Sequence, residues 1–260
     1  MFMSRPQFAS LDQAALTSLD ASPFSPTYTF QGRSFHLHCW RETIELSPNA
    51  THFTFLYAGE AELVTERDYH FPLWPGMVCS QPDRGLIRSR TGEPALGITI
   101  SMENYRGFFQ LGGPIEKAGR LRYVDGCSDS LLFSPIIKGD PCLNLLLIPP
   151  HTEQTEHTHP SFRLGMIVEG SGICRTPEGN SPLLPGTVFA LPAESRHAFW
   201  TEDEPLLIIA FHPDSDFGPT HENHPMINRT IINGVSASIL RQMENHHPPA
   251  SHASPVENSQ

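Results

Sequence analysis

Residues 156–170 read EHTHPSFRLGMIVEG, and the first chemistry in them is a pair of histidines one residue apart. Side chains alternate faces along an extended strand, so His157 and His159 should point together, as two imidazoles must to grip one cation. A third imidazole is at hand in PGTVFALPAESRHAFW (185–200), where His197 follows a proline-flanked turn and precedes another strand-like run. Three neutral histidines suit Fe(II), Zn, Ni, Mn or Cu and leave coordination positions open for water or substrate. Four residues after His159 comes Arg163, on the same alternation, so a fixed positive charge shares the face with a divalent ion. Burying both without an anion is costly. Two sources of that anion stay open. One is Glu153, in the arm HTEQTEH that leads to His157; Glu156 should face away from that histidine. The other is a carboxylate on a small substrate, which a guanidinium can hold in two parallel hydrogen bonds. Phe199 shares a face with His197 and is a candidate for the pocket wall, though plain core is the commoner use for such a residue.

The elements that must position these residues show up as an internal repeat. FTFLYAGEAEL (53–63) aligns with LGMIVEGSGIC (164–174), PLWPGMVCSQP (72–82) with PLLPGTVFALP (182–192), and EPALGITIS (93–101) with EPLLIIAFH (204–212), all at an offset of 110 or 111. Each unit reads as short strands parted by Gly, Pro, Asn and Asp. LDQAALTSLD (11–20) is the one plausible helix. By the repeat, Leu46 and Pro48 stand opposite the histidine pair, Ile87 or a neighbour opposite His197, and His52 opposite Arg163, so one metal site per chain is expected. The HxH of FHLHC (35–39) lies too far ahead of Gly59 to fill the same frame.

At this point the chain resembles the cupin superfamily. The first cupin motif, G-x5-H-x-H-x3-4-E-x6-G, is matched by His157, His159 and Gly170; the second, G-x5-P-x-G-x2-H-x3-N, by Gly186, Pro192 and His197. Four positions depart: His151 replaces the first Gly, Arg163 the Glu, Glu194 the second Gly and Thr201 the Asn. The resemblance spans both repeats and implies an all-β bicupin of two tandem antiparallel jelly-roll barrels with few short helices. The expected divisions are an extension (1–30), a degenerate barrel (31–112), a connection (113–141), a metal-binding barrel (142–216) and a C-terminal segment (217–260) disordered from about residue 242. His246, His247 and His252 fall in that tail and read as solvated; His221, Glu222 and His224 read as loop.

Three histidines without the glutamate are similar to cupin thiol dioxygenases and to bicupin dioxygenases of gentisate and salicylate type. That resemblance implies a non-haem Fe(II) oxygenase acting on a small carboxylate, with Arg163 as substrate anchor and Phe199 and Glu153 beside it. Two other classes stay open: a non-redox isomerase, lyase or hydrolase on Zn, Ni or Mn, and a non-enzymatic ligand-binding bicupin. Composition excludes further ones. A net charge of −11 does not suit nucleic acid, and no stretch approaches the roughly 20 apolar residues of a membrane span. The N-terminal segment lacks the apolar centre of a signal peptide, and five scattered cysteines with no CxxC spacing suit a reducing cytoplasm. The expected partner is a small anionic molecule, and the expected state a monomer or homodimer.

Overall fold

The computed structural model of the chain describes residues 5–14, 24–123, 126–137, 139–214, 231–232 and 235–236. The fold is all-β. A first group of elements comprises β1 (Gln7–Ser10), α1 (Leu11–Ala14), β2 (Thr27–Phe30), β3 (Arg33–Arg41), β4 (Thr43–Leu46), β5 (Ala50–Ala58), β6 (Ala61–Thr65), β7 (His70–Leu73), β8 (Val78–Pro82), β9 (Gly85–Ser89), β10 (Leu96–Glu103) and β11 (Gln110–Gly112). A second comprises β12 (Leu121–Arg122), β13 (Ser128–Phe133), β14 (Cys142–Ile148), β15 (Arg163–Gly170), β16 (Gly172–Thr176), β17 (Gly179–Leu183), β18 (Thr187–Leu191), β19 (Ala198–Trp200) and β20 (Leu206–His212), followed by the short pair β21 (Ile231–Ile232) and β22 (Val235–Ser236).

Each half is a jelly-roll-type sandwich of a large and a small antiparallel sheet. The large sheets run β11-β8-β5-β10-β3-β2 and β1-β18-β15-β20-β14-β13-β12; the small ones run β4-β9-β6-β7 and β17-β16-β19. Strands β5, β10, β15 and β20 are buried on both faces; β15 and β20 read as nearly continuous apolar runs, whereas β5 and β10 interleave the buried polar residues Thr51, His52, Thr54, Thr99 and Ser101. On β20, Leu206 and Ile208 pack toward the small sheet with Ile167 and Phe199, whereas Leu207, Ile209 and Phe211 pack toward the other half. The central layer is aromatic. Phe53 meets Phe211 at 5.2 Å and Phe133 at 5.8 Å between centroids, and Phe162 stacks on Tyr28 at 4.7 Å. Each fully buried phenylalanine there contributes about 2 kcal/mol of burial free energy.

The repeat has a backbone cause at its glycines. Gly59 and Gly170 both take the left-handed conformation, φ 72° and 83°, where the chain turns from β5 into β6 and from β15 into β16. A Cβ at either would strike the carbonyl of the equivalent proline, Pro94 or Pro205. Only glycine meets both demands.

Several sequence expectations need correction. The helix expected over 11–20 is the four-residue α1 as far as the structure describes it. The expected extension is structural: β1 pairs with β18, Leu11 N–H donates to the Gly186 carbonyl at 2.8 Å, and β2 pairs with β3. The expected connection supplies β12 and β13 to the second large sheet. The side chains of His221, Glu222, His224, His246, His247 and His252 lie outside the described residues. All five cysteines are free and buried, and no helix among the described residues is long and apolar enough to cross a membrane.

Candidate metal centre

The histidine pair does not ride on a strand, because β15 starts only at Arg163. His157 instead forms an isolated antiparallel bridge with His197, each backbone N–H donating to the other's carbonyl, at 3.0 and 3.1 Å. The rings nevertheless converge. Centroids lie 4.9 Å apart for His157 and His159, 4.7 Å for His157 and His197, and 5.2 Å for His159 and His197. One nitrogen from each ring lies within 4.8 Å of the others. A cation bound at about 2.1 Å to each would close that spacing with small ring movements.

Two local hydrogen bonds aim the rings. Nδ1 of His157 sits 2.8 Å from the Thr155 carbonyl, and Nδ1 of His197 sits 2.8 Å from the Ser195 carbonyl. A carbonyl only accepts, so each ring carries its proton on Nδ1 and offers the Nε2 lone pair. Backbone carbonyls commonly play this part behind histidine ligands. Burial also favours the neutral form of two of these imidazoles. His197 is pushed down to about 3, first by burial and then by His157, against a raising bond to Ser195. His159 lies well below its ordinary value, first through burial and then through the Arg163 guanidinium. Neutral imidazole is the form that binds metal, so the donor set fits a divalent ion.

Arg163 is buried and lines the same cavity as the three histidines, about 60 Å³ in volume. Its Nη1 donates to the Ser161 carbonyl (3.0 Å), the Ser161 hydroxyl (2.6 Å) and the Phe162 carbonyl (3.0 Å). The Ser161 hydroxyl donates in turn to Asp214 Oδ1 at 3.1 Å. The internal carboxylate tied to this charge is therefore Asp214, through Ser161. Glu153 is not brought to the site: it is exposed, bridges to the Trp200 backbone and lines a separate cleft. The bridges Glu153–Trp200 and His157–His197 span four residues on one side and three on the other, so strict alternation fails and Gln154 is buried, its Oε1 accepting from Phe199 N–H at 3.1 Å. Glu156 faces out and pairs with Arg196 at 3.0 Å. Phe199 both lines the cavity and belongs to the buried core beneath the small sheet.

Sequence reasoning missed the wall facing the histidines, which Tyr123, Asp129, Asn144 and His212 help to form. Burial raises the Asp129 carboxyl above its ordinary value and pushes the Tyr123 hydroxyl up to about 12. Burial, then Arg163, holds His212 well below its ordinary value. The available signal was one asparagine breaking the apolar run CLNLLLI and one histidine closing LLIIAFH.

A family model described as an AraC-like ligand binding domain matches residues 146–229. No curated protein matches the chain. Among solved structures, a cupin 2 conserved barrel domain protein from Leptotrichia buccalis aligns at a TM-score of 0.57 and 15% identity, over 81% of this chain and 97% of that one. The salicylate 1,2-dioxygenase from Pseudaminobacter salicylatoxidans aligns at 0.58 and 12%, over 80% and 83%. A putative glyoxylate induced protein from Pseudomonas aeruginosa aligns at 0.55 and 14%, over 82% and 89%. The fold is of the cupin type. At such low identity the likeness concerns the fold, and chemistry must be argued from the site.

Proposed function

We propose that the chain is a bicupin metalloenzyme, with one divalent ion held by His157, His159 and His197 in its C-terminal barrel and a small carboxylate substrate oriented by Arg163. The observation that carries this reading is the convergence of three imidazoles, two of them (His159 and His197) favoured as neutral by burial and two (His157 and His197) with Nδ1 tied to backbone carbonyls, in a cavity that Arg163 also lines. A carboxylate is missing from the ligand set, which favours Fe(II) with open positions and an oxygenase reaction. When bound, such an ion would supply Lewis acidity and a place for O₂ and substrate to meet. The chain's own part is to keep the imidazoles deprotonated, to fix the substrate's acid end at Arg163, and to exclude bulk water with Phe199, Leu191 and Ile208. A reducing, cytoplasmic setting belongs to the same reading, as does action as a monomer or homodimer.

The test is anaerobic loading with Fe(II), followed by oxygen uptake in the presence of a panel of small carboxylates. Uptake with at least one acid, abolished by His197→Ala, is expected; protein that holds iron and consumes no oxygen with any of them overturns the oxygenase step. A second reading has its own support. The match to a ligand-binding domain covers all three histidines and Arg163, which favours a non-catalytic binder if a carboxylate binds without turnover. Zn-loaded protein active without O₂ would instead point to an isomerase, lyase or hydrolase.

A further inference from the structure

The wall opposite the histidines holds three polar atoms that are buried and have no hydrogen-bond partner: Asp129 Oδ1, Asn144 Oδ1 and His212 Nδ1. They sit on three adjacent strands. β13 pairs with β14 and β14 with β20, so Asp129, Asn144 and His212 come from neighbouring rows of one sheet, and all three line the cavity that holds the three imidazoles and Arg163. The Asn144 amide is not free to turn. Its Nδ2 donates to Asp129 Oδ2 at 2.8 Å, which fixes Oδ1 as an outward acceptor. Leaving such groups dry and unpaired costs about 1–3 kcal/mol each, so a native cavity presenting two acceptor oxygens and an imidazole nitrogen is built to receive a group that both donates and accepts.

We propose that Asp129, Asn144 and His212 form a subsite for a hydroxyl group, so that the ligand is a short hydroxy acid whose carboxylate lies at Arg163. The identity of the acid end rests on the reading of Arg163 given above; the hydroxyl end rests on the unpartnered atoms alone. A hydroxyl fits better than an ammonium group, because Arg163 already fills the cavity with positive field. Size points the same way. At about 10–15 Å³ per water-sized group, a cavity of about 60 Å³ takes only a few heavy atoms beyond the ion.

Isothermal titration of the full-length, metal-loaded chain with lactate, both enantiomers, and with propionate tests this, since the acids differ by one hydroxyl. At least one lactate enantiomer is expected to bind about tenfold or more tightly than propionate. Asn144→Leu is expected to bring lactate down to the level of propionate in that same variant, with the metal still bound by mass spectrometry. Asn144→Ser serves as the smaller change if the leucine variant shows no cooperative melting. Equal binding of lactate and propionate by the wild-type chain overturns the inference and leaves the three atoms to buried water. A preference that survives both Asn144 substitutions overturns the assignment to this subsite, and failure of the loaded chain to bind either acid overturns the ligand class. A chain that takes up no metal defeats the parent reading instead, and titration of that apo chain still measures the hydroxyl preference.

Discussion

The two halves of the chain share strands, register and turn glycines, yet one interior is closed and the other is a cavity. Pairing registers align them residue by residue: His52 and Ser101 occupy the places of Arg163 and His212, Thr99 that of Ala210, and Trp40 that of Leu146. In the N-terminal half the polar groups satisfy one another. His52 Nδ1 is 2.8 Å from Ser101 Oγ and its Nε2 is 2.9 Å from the Ser47 carbonyl, so both ring nitrogens are spoken for. The Trp40 indole fills the space where the other half is hollow and donates to Thr99 Oγ1 at 3.0 Å, which meets Thr54 Oγ1 at 2.8 Å. Gly97, across from it, has no room for a side chain: a Cβ would lie 2.5 Å from the indole. By the same registers Leu46, which is buried, pairs with Gly85 where His157 pairs with His197, and Ile87 takes the place of Phe199. The lesson is physical. A jelly roll becomes a core when its inward polar atoms pair among themselves, and a site when some are held neutral, aimed and left for a ligand.

The sharpest way to break this contrast is to remove an imidazole from each half. His197→Ala is expected to take bound metal from about one ion per chain to nearly none by mass spectrometry, because two histidines rarely hold a divalent ion against solvent. His52→Ala should leave the metal content unchanged; equal loss from both would erase the distinction. Next in size is Trp40→Leu, which gives the N-terminal half the residue found at position 146. It is expected to destabilise the chain by about 3 kcal/mol in urea titrations, through lost burial and the lost indole hydrogen bond to Thr99, with metal content retained. Arg163→Met should weaken binding of a simple carboxylate by about tenfold or more, since a charge-assisted hydrogen bond is lost. Unchanged affinity would make Arg163 a purely structural partner of Ser161 and Asp214.

Much of this contrast was legible in the sequence. The repeat offset paired Gly59 with Gly170 and His52 with Arg163, and the structure aligns the same residues. The histidine triad was legible from spacing, although the reason given, a shared strand face, was wrong; a backbone bridge between His157 and His197 brings the rings together instead. What could not be read was the partner of Arg163 and the facing wall. Asp214 and Ser161 lie 53 residues apart in the chain and meet only through packing. Asp129 was hidden because residues 113–141 looked like a connection, whereas β13 is a full member of the second large sheet. The placing of Glu153 failed because alternation was extended across a segment that pairs only through isolated bridges of unequal spacing.

The smallest expected effect separates the halves by their response to acid. His38, on β3 in the N-terminal half, is held down to about 4, first by burial and then by His36 and His52. In the unfolded chain its imidazole takes up a proton near its ordinary value of about 6.5. Between those two values the unfolded state binds more protons than the folded one, so stability is full above about pH 6.5 and falls as the pH drops toward about 4. His38→Gln should therefore flatten that limb of a stability-versus-pH curve measured by urea unfolding, and an unchanged slope would remove His38 from the account. His159 and His197 shift in the same direction but answer to a second ligand, because protons and metal compete for the same imidazole lone pairs. Saturating metal should then deepen the loss of stability on acidification as the ion is released, while a chelator should remove that extra loss and leave the His38 contribution in place. A closed interior responds to pH alone, whereas a site responds to pH and occupancy together.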